Sequence, residues 1–160
     1  MITLAKSTKS APVKSQAMLL LSYALGLGTA VLAVAQMVSF EDFVEALRAY
    51  QVGGENATLA IAVGVLGLEV FATPFLLRLS LSPAARFVSA LFALLLPYVW
   101  TVLTIHVFVA NATVDNAGYF GGFFGLPVGA AVLVLDLLWA IAATVSFRAL
   151  GGVEALRPKL

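Results

Sequence analysis

The chain has 160 residues, of which 62% are hydrophobic and 11% charged, with a formal net charge of +1 and a mean hydropathy of +1.05. Soluble domains average about 45–50% apolar residues, so this composition belongs to a membrane protein. Nine basic residues against eight acidic ones leave no basic stripe for nucleic acid, and a chain without cysteine has no internal disulfide or thiolate chemistry.

A bilayer-crossing helix needs about 20 mainly apolar residues, and four segments qualify: Gln16 to Val38, Ala57 to Leu77, Phe87 to Ala110, and Leu126 to Phe147. The expected fold is an all-α, integral membrane four-helix bundle, a single membrane domain over residues 1–160 with no room for a separate soluble catalytic domain. The first span follows Lys6, Lys9 and Lys14 and ends near Ala33-Val34-Ala35, in the manner of a secretory signal. Its apolar run exceeds the usual signal core of about 7–15 residues, so it is expected to stay as a transmembrane helix.

Between the first two spans, Ser39-Phe40-Glu41-Asp42 opens like a capping box with Asp42 in the glutamate position. Phe40, Phe43, Val44 and Leu47 then recur at helical spacing. A short amphipathic helix is predicted over residues 40–51, with its apolar face on the membrane surface or roofing the bundle, and Glu41, Asp42, Glu45 and Arg48 in water. It serves either as a simple connection or, through Phe40, Phe43 and Leu47, as part of an interface.

The second span carries Glu69 and the fourth Asp136, about 12 and about 10 residues from their outer ends. At about 1.5 Å per residue the two acids lie at similar depth. A carboxylate at the bilayer centre costs roughly 2.5–3.5 kcal/mol on insertion scales, so both acids require an explanation. On the fourth helix Gly129, Leu133, Asp136, Ala140 and Ala143 share a small-residue face that directs Asp136 inward. Thr73 stands one turn beyond Glu69, and Thr101 and Thr104 follow Pro97 on the third span. These five polar residues define a candidate intramembrane polar or proton site. Three functional uses are open, sharing and carrying a proton, binding a cation, or orienting a bound quinone or other ligand, beside a structural one in which the threonines fasten the acids.

His106, the only histidine, sits about 140–200° around the third helix from Thr101 and Thr104 at 100° per residue. Its candidate role is a haem ligand, with Met37 near the same level, set against plain packing; no metal set is predicted. Asn56-Ala57-Thr58 and Asn111-Ala112-Thr113 match the glycosylation pattern. The second outer loop alternates glycine with rings, Asn-Ala-Gly-Tyr-Phe-Gly-Gly-Phe-Phe-Gly from Asn116 to Gly125. Its glycines suit a tight re-entry turn, and Tyr119, Phe120, Phe123 and Phe124 suit an aromatic belt or a docking surface.

Lys6, Lys9, Lys14, Arg78, Arg86, Arg148, Arg157 and Lys159 fall on one side of a four-span arrangement and only Arg48 on the other. By the positive-inside rule both termini are cytoplasmic.

The order of features resembles the DoxX/MauE group of small four-helix membrane proteins: a first span, an outer amphipathic segment closing on Tyr50-Gln51-Val52, and Glu69 in the second span. Ala117-Gly118-Tyr119-Phe120-Gly121 is similar to the cysteine-glycine-cysteine-phenylalanine-glycine motif of the methylamine-utilisation branch, followed by Pro127-Val128-Gly129 and Asp136. Ala117 and Tyr119 occupy the thiol positions, so the resemblance implies the scaffold without its redox chemistry.

Three functions follow as expectations. The first is a non-catalytic accessory, assembly or stabilising subunit of a larger membrane complex of respiratory, photosynthetic or other redox type, contacting the lipid bilayer and other integral membrane subunits. The second is a quinone-linked redox component, as the DoxX resemblance implies, with Glu69 and Asp136 handling protons. The third is a small proton-coupled transporter. A bacterial inner membrane is the expected location.

Overall fold

The computed structural model describes residues 15–152, so Lys6, Lys9, Lys14, Arg157 and Lys159 lie outside the described residues. Within them the chain is helical: α1 (Gln16–Val38), α2 (Phe40–Arg48), α3 (Glu55–Leu76), α4 (Pro83–Val109) and α5 (Ala130–Ala149). α1, α3, α4 and α5 are each long and apolar enough to cross a membrane, and they form a four-helix bundle. α3 packs against both α1 and α4, and α5 packs on α4, while α5 meets α1 only along a thin seam.

The interior mixes small and polar residues with large apolar ones such as Phe75, Leu96, Trp100 and Phe147, and large apolar residues also cover the outside of the spans. Ala33, Ala62, Ala72, Ala90, Ala93, Ala140 and Ala143 are buried, while Leu20, Leu27, Val34, Val63, Leu138 and Ile141 are exposed. Lipid tails are as apolar as leucine, so large side chains can face outward, while the buried alanines let the helices approach closely.

Two prolines interrupt the transmembrane ladders. Pro74 in α3 has no N–H, and its ring disrupts the preceding turn. Ser89 of α4 repairs the break. Its hydroxyl accepts from the Phe75 N–H at 2.9 Å and donates to the Phe71 carbonyl at 2.5 Å, reconnecting the two groups that an uninterrupted helix would have paired. Pro97 in α4 is followed by Thr101, whose hydroxyl donates back to the Pro97 carbonyl at 2.8 Å.

The helix ends are set by local chemistry. α4 begins at Pro83, a turn before the apolar run at Phe87, because Ser82 caps it, accepting from the Ala85 N–H at 3.3 Å, and proline suits the first helical position. Arg78 and Asn111, with φ of 58° and 50°, close α3 and α4 in the left-handed conformation. Each is followed by a long-reach bond, Leu79 N–H to the Pro74 carbonyl at 2.9 Å and Ala112 N–H to the Val107 carbonyl at 3.1 Å. Arg78, Arg86 and Arg148 cluster at this arginine-rich end, at the end of α3, the start of α4 and the end of α5. There Arg86 donates to the Leu150 carbonyl at 3.0 Å and lies 5.7 Å from the centre of the Phe75 ring.

At the opposite end α2 roofs the bundle. Phe43 and Leu47 are fully buried, Phe40 and Val44 pack partly against the core, and Glu41, Asp42, Glu45 and Arg48 face outward. The anticipated capping box is replaced by another arrangement. Ser39 gives α2 no side-chain cap; its hydroxyl donates to the Ala35 carbonyl at 2.9 Å and accepts from the Gly122 N–H at 2.9 Å, because it also ends α1 and ties down the second loop.

That loop, residues 110–129, folds into a lid. Ala117 N–H donates to the Leu126 carbonyl at 2.7 Å and Val128 N–H to the Val114 carbonyl at 2.8 Å. This pairing keeps Leu126 to Gly129 out of the last helix, which starts at Ala130. Asn116 braces the turn, accepting from the Gly118 N–H and donating to the Gly121 carbonyl, both at 2.9 Å. Gly118 and Gly121 have φ of +80° and +57°; a side chain at Gly121 would meet the Ser39 hydroxyl, and one at Gly118 would press on Ala46 and Phe43. Close approach of the lid to the α1–α2 junction therefore requires glycine at both positions.

Ser89→Ala removes one donor and one acceptor from a broken backbone ladder inside the membrane. The expected loss is about 1–3 kcal/mol, measurable as a lowered midpoint in denaturant or thermal unfolding of the protein in detergent, whereas Ser89→Thr retains most of the stability.

Candidate functional site: a polar core beneath the lid

Each transmembrane helix delivers a polar side chain to the interior. On α1 the buried face runs Ser22, Gly26, Thr29, Ala33, Gln36; on α3 it runs Ala62, Val65, Glu69, Ala72. α4 contributes Trp100, Thr101 and Thr104, and α5 contributes Asp136 between Val132 and Ala140. Gln36, Glu69, Trp100, Thr104 and Asp136 are completely inaccessible to solvent.

These residues form two clusters. In the first, Gln36 Nε2 donates to Glu69 Oε1 at 3.0 Å. In the second, Thr104 donates to Asp136 Oδ2 at 2.6 Å and the Tyr119 phenol donates to Asp136 Oδ1. Asp136 thus has a hydroxyl donor on each oxygen.

Tyr119 connects the clusters. Its carbonyl accepts from Gln36 Nε2 at 3.1 Å while its phenol holds Asp136. Its ring lies edge-on to Trp100, centroids 4.5 Å apart, and 6.4 Å from Trp139. Tyr50, buried just past the end of α2, donates to the Ala117 carbonyl at 3.0 Å and so fixes the lid just before Tyr119. Burial pushes the Tyr50 and Tyr119 phenols above the ordinary tyrosine value, and the neighbouring Asp136 carboxyl adds to both shifts.

Of the five polar residues singled out in the sequence, the structure joins Thr104 to Asp136 and leaves the others apart. The Thr73 hydroxyl donates to the Glu69 main-chain carbonyl at 2.8 Å and the Thr101 hydroxyl to that of Pro97, so each turns back on its own helix. Glu69 bonds Gln36, not Asp136. Among the expected interface residues, Tyr119, Phe43 and Leu47 are interior, Phe40 and Phe120 are half-buried, and Phe123 and Phe124 project from the lid. His106 is half-buried and lies outside both clusters. Among the described residues no group of three or more His, Cys, Asp or Glu is placed to hold a metal ion.

Sequence reasoning missed Gln36, Trp100 and the inward course of Tyr119. A signal for Gln36 was present: Ser22, Thr29 and Gln36 recur every seven residues along an otherwise apolar span, the spacing of one buried stripe.

The thin α1–α5 seam holds a cleft of about 540 Å³, walled by Leu25, Gly28 and Leu32 on one side, Leu135 and Leu138 on the other, with the Tyr119 ring beside them. The Thr29 hydroxyl in its wall is spent on the Leu25 carbonyl at 2.8 Å, which leaves the surface apolar. The cleft has the size of an ordinary small-molecule pocket, about 300–1,000 Å³.

The fold and its polar core define an integral membrane protein built on a four-helix bundle with a folded lid at one end. No protein-family model, curated protein or solved structure matches the chain.

Tyr119→Phe leaves Asp136 Oδ1 without its donor at a buried site, and the expected cost is about 1–3 kcal/mol. In a double-mutant cycle with Asp136→Leu the two losses are non-additive, with a coupling of about 0.5–3 kcal/mol read from unfolding midpoints in detergent. Independent additive losses would show that the phenol does not serve the carboxyl.

The raised phenols also set an alkaline limit. Above about pH 10 tyrosines of the unfolded chain ionise, while the buried ones keep their protons. The unfolded state then binds fewer protons than the folded one, so stability falls as pH rises. Unfolding midpoints are expected to decline above about pH 10, and less steeply in Tyr50→Phe, which cannot ionise.

Proposed function

We propose that the protein is a non-catalytic accessory, assembly or stabilising subunit of a larger membrane complex of redox type, held in a bacterial inner membrane with both termini in the cytoplasm. The observation that carries this reading is the use made of the polar core. Asp136 is occupied by Thr104 and Tyr119, and Glu69 by Gln36, so the acids hold the lid onto the bundle.

The lid so held presents the exposed rings of Phe123 and Phe124, with Phe120 packed edge-on against Phe124 at 6.0 Å. Rigid aromatic residues projecting from a braced loop are suited to contact another protein, since such rings are enriched at interfaces. Arg78, Arg86 and Arg148 at the opposite end support a cytoplasmic placement of that end. The resemblance to the DoxX/MauE group supports a scaffold of this kind, with Ala117 and Tyr119 in place of thiols. In this chain Tyr119 ties the lid to Asp136 by a hydrogen bond.

A second reading, a quinone-linked redox component, is favoured by the α1–α5 cleft, whose apolar walls suit an isoprenoid chain and which runs past the Tyr119 ring.

A photoreactive amino acid at Phe123, irradiated in native membranes, followed by native mass spectrometry and lipid-quinone analysis of the gently extracted protein, tests both. A cross-link to one defined membrane subunit, with a matching larger assembly, is the expected result. A protein that emerges alone with stoichiometric quinone overturns the accessory reading in favour of the second.

A further inference from the structure

At the lid end of the bundle a cavity of about 610 Å³ opens where the end of α1, the first turn of α2 and the lid meet. Its walls are of two kinds. Met37, Val38 and Phe123 are apolar and exposed, with Phe40 half-buried beside them. Glu41 and Asp42 supply two exposed carboxylates, and Asp42 lies so close to the lid that a side chain at Gly122 would meet its carboxylate.

These two carboxylates are uncommitted. Arg48 is the one lysine or arginine at this end among the described residues, against Glu41, Asp42, Glu45, Glu55 and Asp115. Its guanidinium is paired with Glu45 and, at 3.7 Å, with Glu55. Neither Glu41 nor Asp42 has an ion pair or a side-chain hydrogen bond among the described residues. Ser39, in the same wall, is spent on the Ala35 carbonyl and the Gly122 N–H. The positive end of α2 favours acids in its first turn, which accounts for negative charge there but not for an apolar wall facing it.

We propose that this cavity receives a single lysine or arginine side chain of the partner subunit, borne at the lid-side end of one of the partner's transmembrane helices. The inference rests on the accessory-subunit reading and names the chemistry that its docking face selects. Long basic side chains lay an apolar stem along hydrophobic surface and carry the charged head to the membrane border. Met37 and Val38 end α1 at that border, so the stem lies on them and on Phe123, while the head reaches Glu41 and Asp42 just beyond. The Phe123 ring offers the cation a face as well.

Other occupants match the walls less well. Two carboxylates make no metal set, and no group of three or more His, Cys, Asp or Glu is placed to hold an ion among the described residues. A second copy of the chain would bring the same acidic end, its arginine already paired. An anionic lipid headgroup would meet like charge. With the arginine-rich end in the cytoplasm the lid faces outward, where the positive-inside rule leaves few lysines and arginines. A cavity that demands one therefore discriminates among membrane proteins and rejects those presenting an acid.

A photoreactive amino acid at Phe124, on the lid but outside the cavity wall, is irradiated in native membranes and the cross-linked peptide is identified by mass spectrometry. The cavity is left unsubstituted, neutralised by Glu41→Gln with Asp42→Asn, or reversed by Glu41→Lys with Asp42→Lys. The expected result is a cross-link to one membrane protein, next to a lysine or arginine at the end of a span, with a yield that falls about tenfold or more on reversal and less on neutralisation. Replacing that basic residue by glutamate restores the yield with the reversed pair. Glu45→Gln, whose carboxylate is spent on Arg48, leaves the yield unchanged. Helical circular dichroism of the variants separates lost docking from lost folding, and in the unsubstituted protein the yield falls as salt rises from about 0.1 to about 1 M. An equal cross-link in every variant and at every salt concentration overturns this inference and leaves the accessory reading standing. No protein cross-link in the unsubstituted membranes, or one only to lipid or to a second copy, overturns both.

Discussion

A carboxyl group placed in the hydrocarbon interior must find its hydrogen-bond partners within the chain, because the lipid supplies none. Asp136 imposes that requirement on α5, and α4 meets only half of it through Thr104. The other half comes from outside the helices, from a loop that turns inward far enough to lay the Tyr119 phenol on the second oxygen. The positive φ of Gly118 and Gly121, the tie from Gly122 to Ser39 and the bond from the Tyr50 phenol to the Ala117 carbonyl all serve that inward course. The mixture of glycines and rings is thus a division of labour: glycines where the lid passes close to α1 and α2, Tyr119 where it reaches into the core, and Phe123 and Phe124 where it faces out.

The same constraint operates on the backbone. Pro74 breaks a ladder that lipid cannot mend, and Ser89 from the neighbouring helix completes it. Ser22 of α1 reaches the Leu76 carbonyl in the final turn of α3 at 2.6 Å. Polar side chains of this bundle therefore work between helices, joining α1 to α3 and α3 to α4. The α1–α5 seam has no comparable tie among the described contacts, and it is where the cleft opens.

The architecture was legible in the sequence because spans and amphipathic helices leave long-range patterns: four apolar runs, and Phe43 with Leu47 on one face of α2. The acids were legible as exceptions within those runs. Their partners were less so, and the reason is local competition. A threonine within a helix can bond the carbonyl four residues back more readily than a distant carboxyl, as Thr73 and Thr101 do, while Thr104 reaches Asp136. Periodicity gives no means of telling these outcomes apart. Tyr119 was read as a surface ring because loops carry no period, and its inward path depends on hydrogen bonds made by Asn116, Ala117 and Ser39 that only the folded lid brings together. Ser39 illustrates the same limit at a helix start, where a capping pattern gave way to a tertiary contact.

Under the proposed accessory role, assembly and stability are linked through the lid. Phe123 and Phe124 lie four and five residues beyond Tyr119 on a segment held at Ser39 and paired through Leu126 and Val128. A partner that recognises the rings in this arrangement binds only when the lid is seated, and seating the lid is what completes the shell of Asp136. By mass action such a partner stabilises the Tyr119–Asp136 contact to the extent that it favours the seated lid. Reciprocity then requires that weakening the contact weaken the partner's hold by the same free energy. A buried carboxyl, which a scaffold could have replaced with leucine, becomes under the proposed role a means of coupling the exposed rings of the lid to the integrity of the bundle.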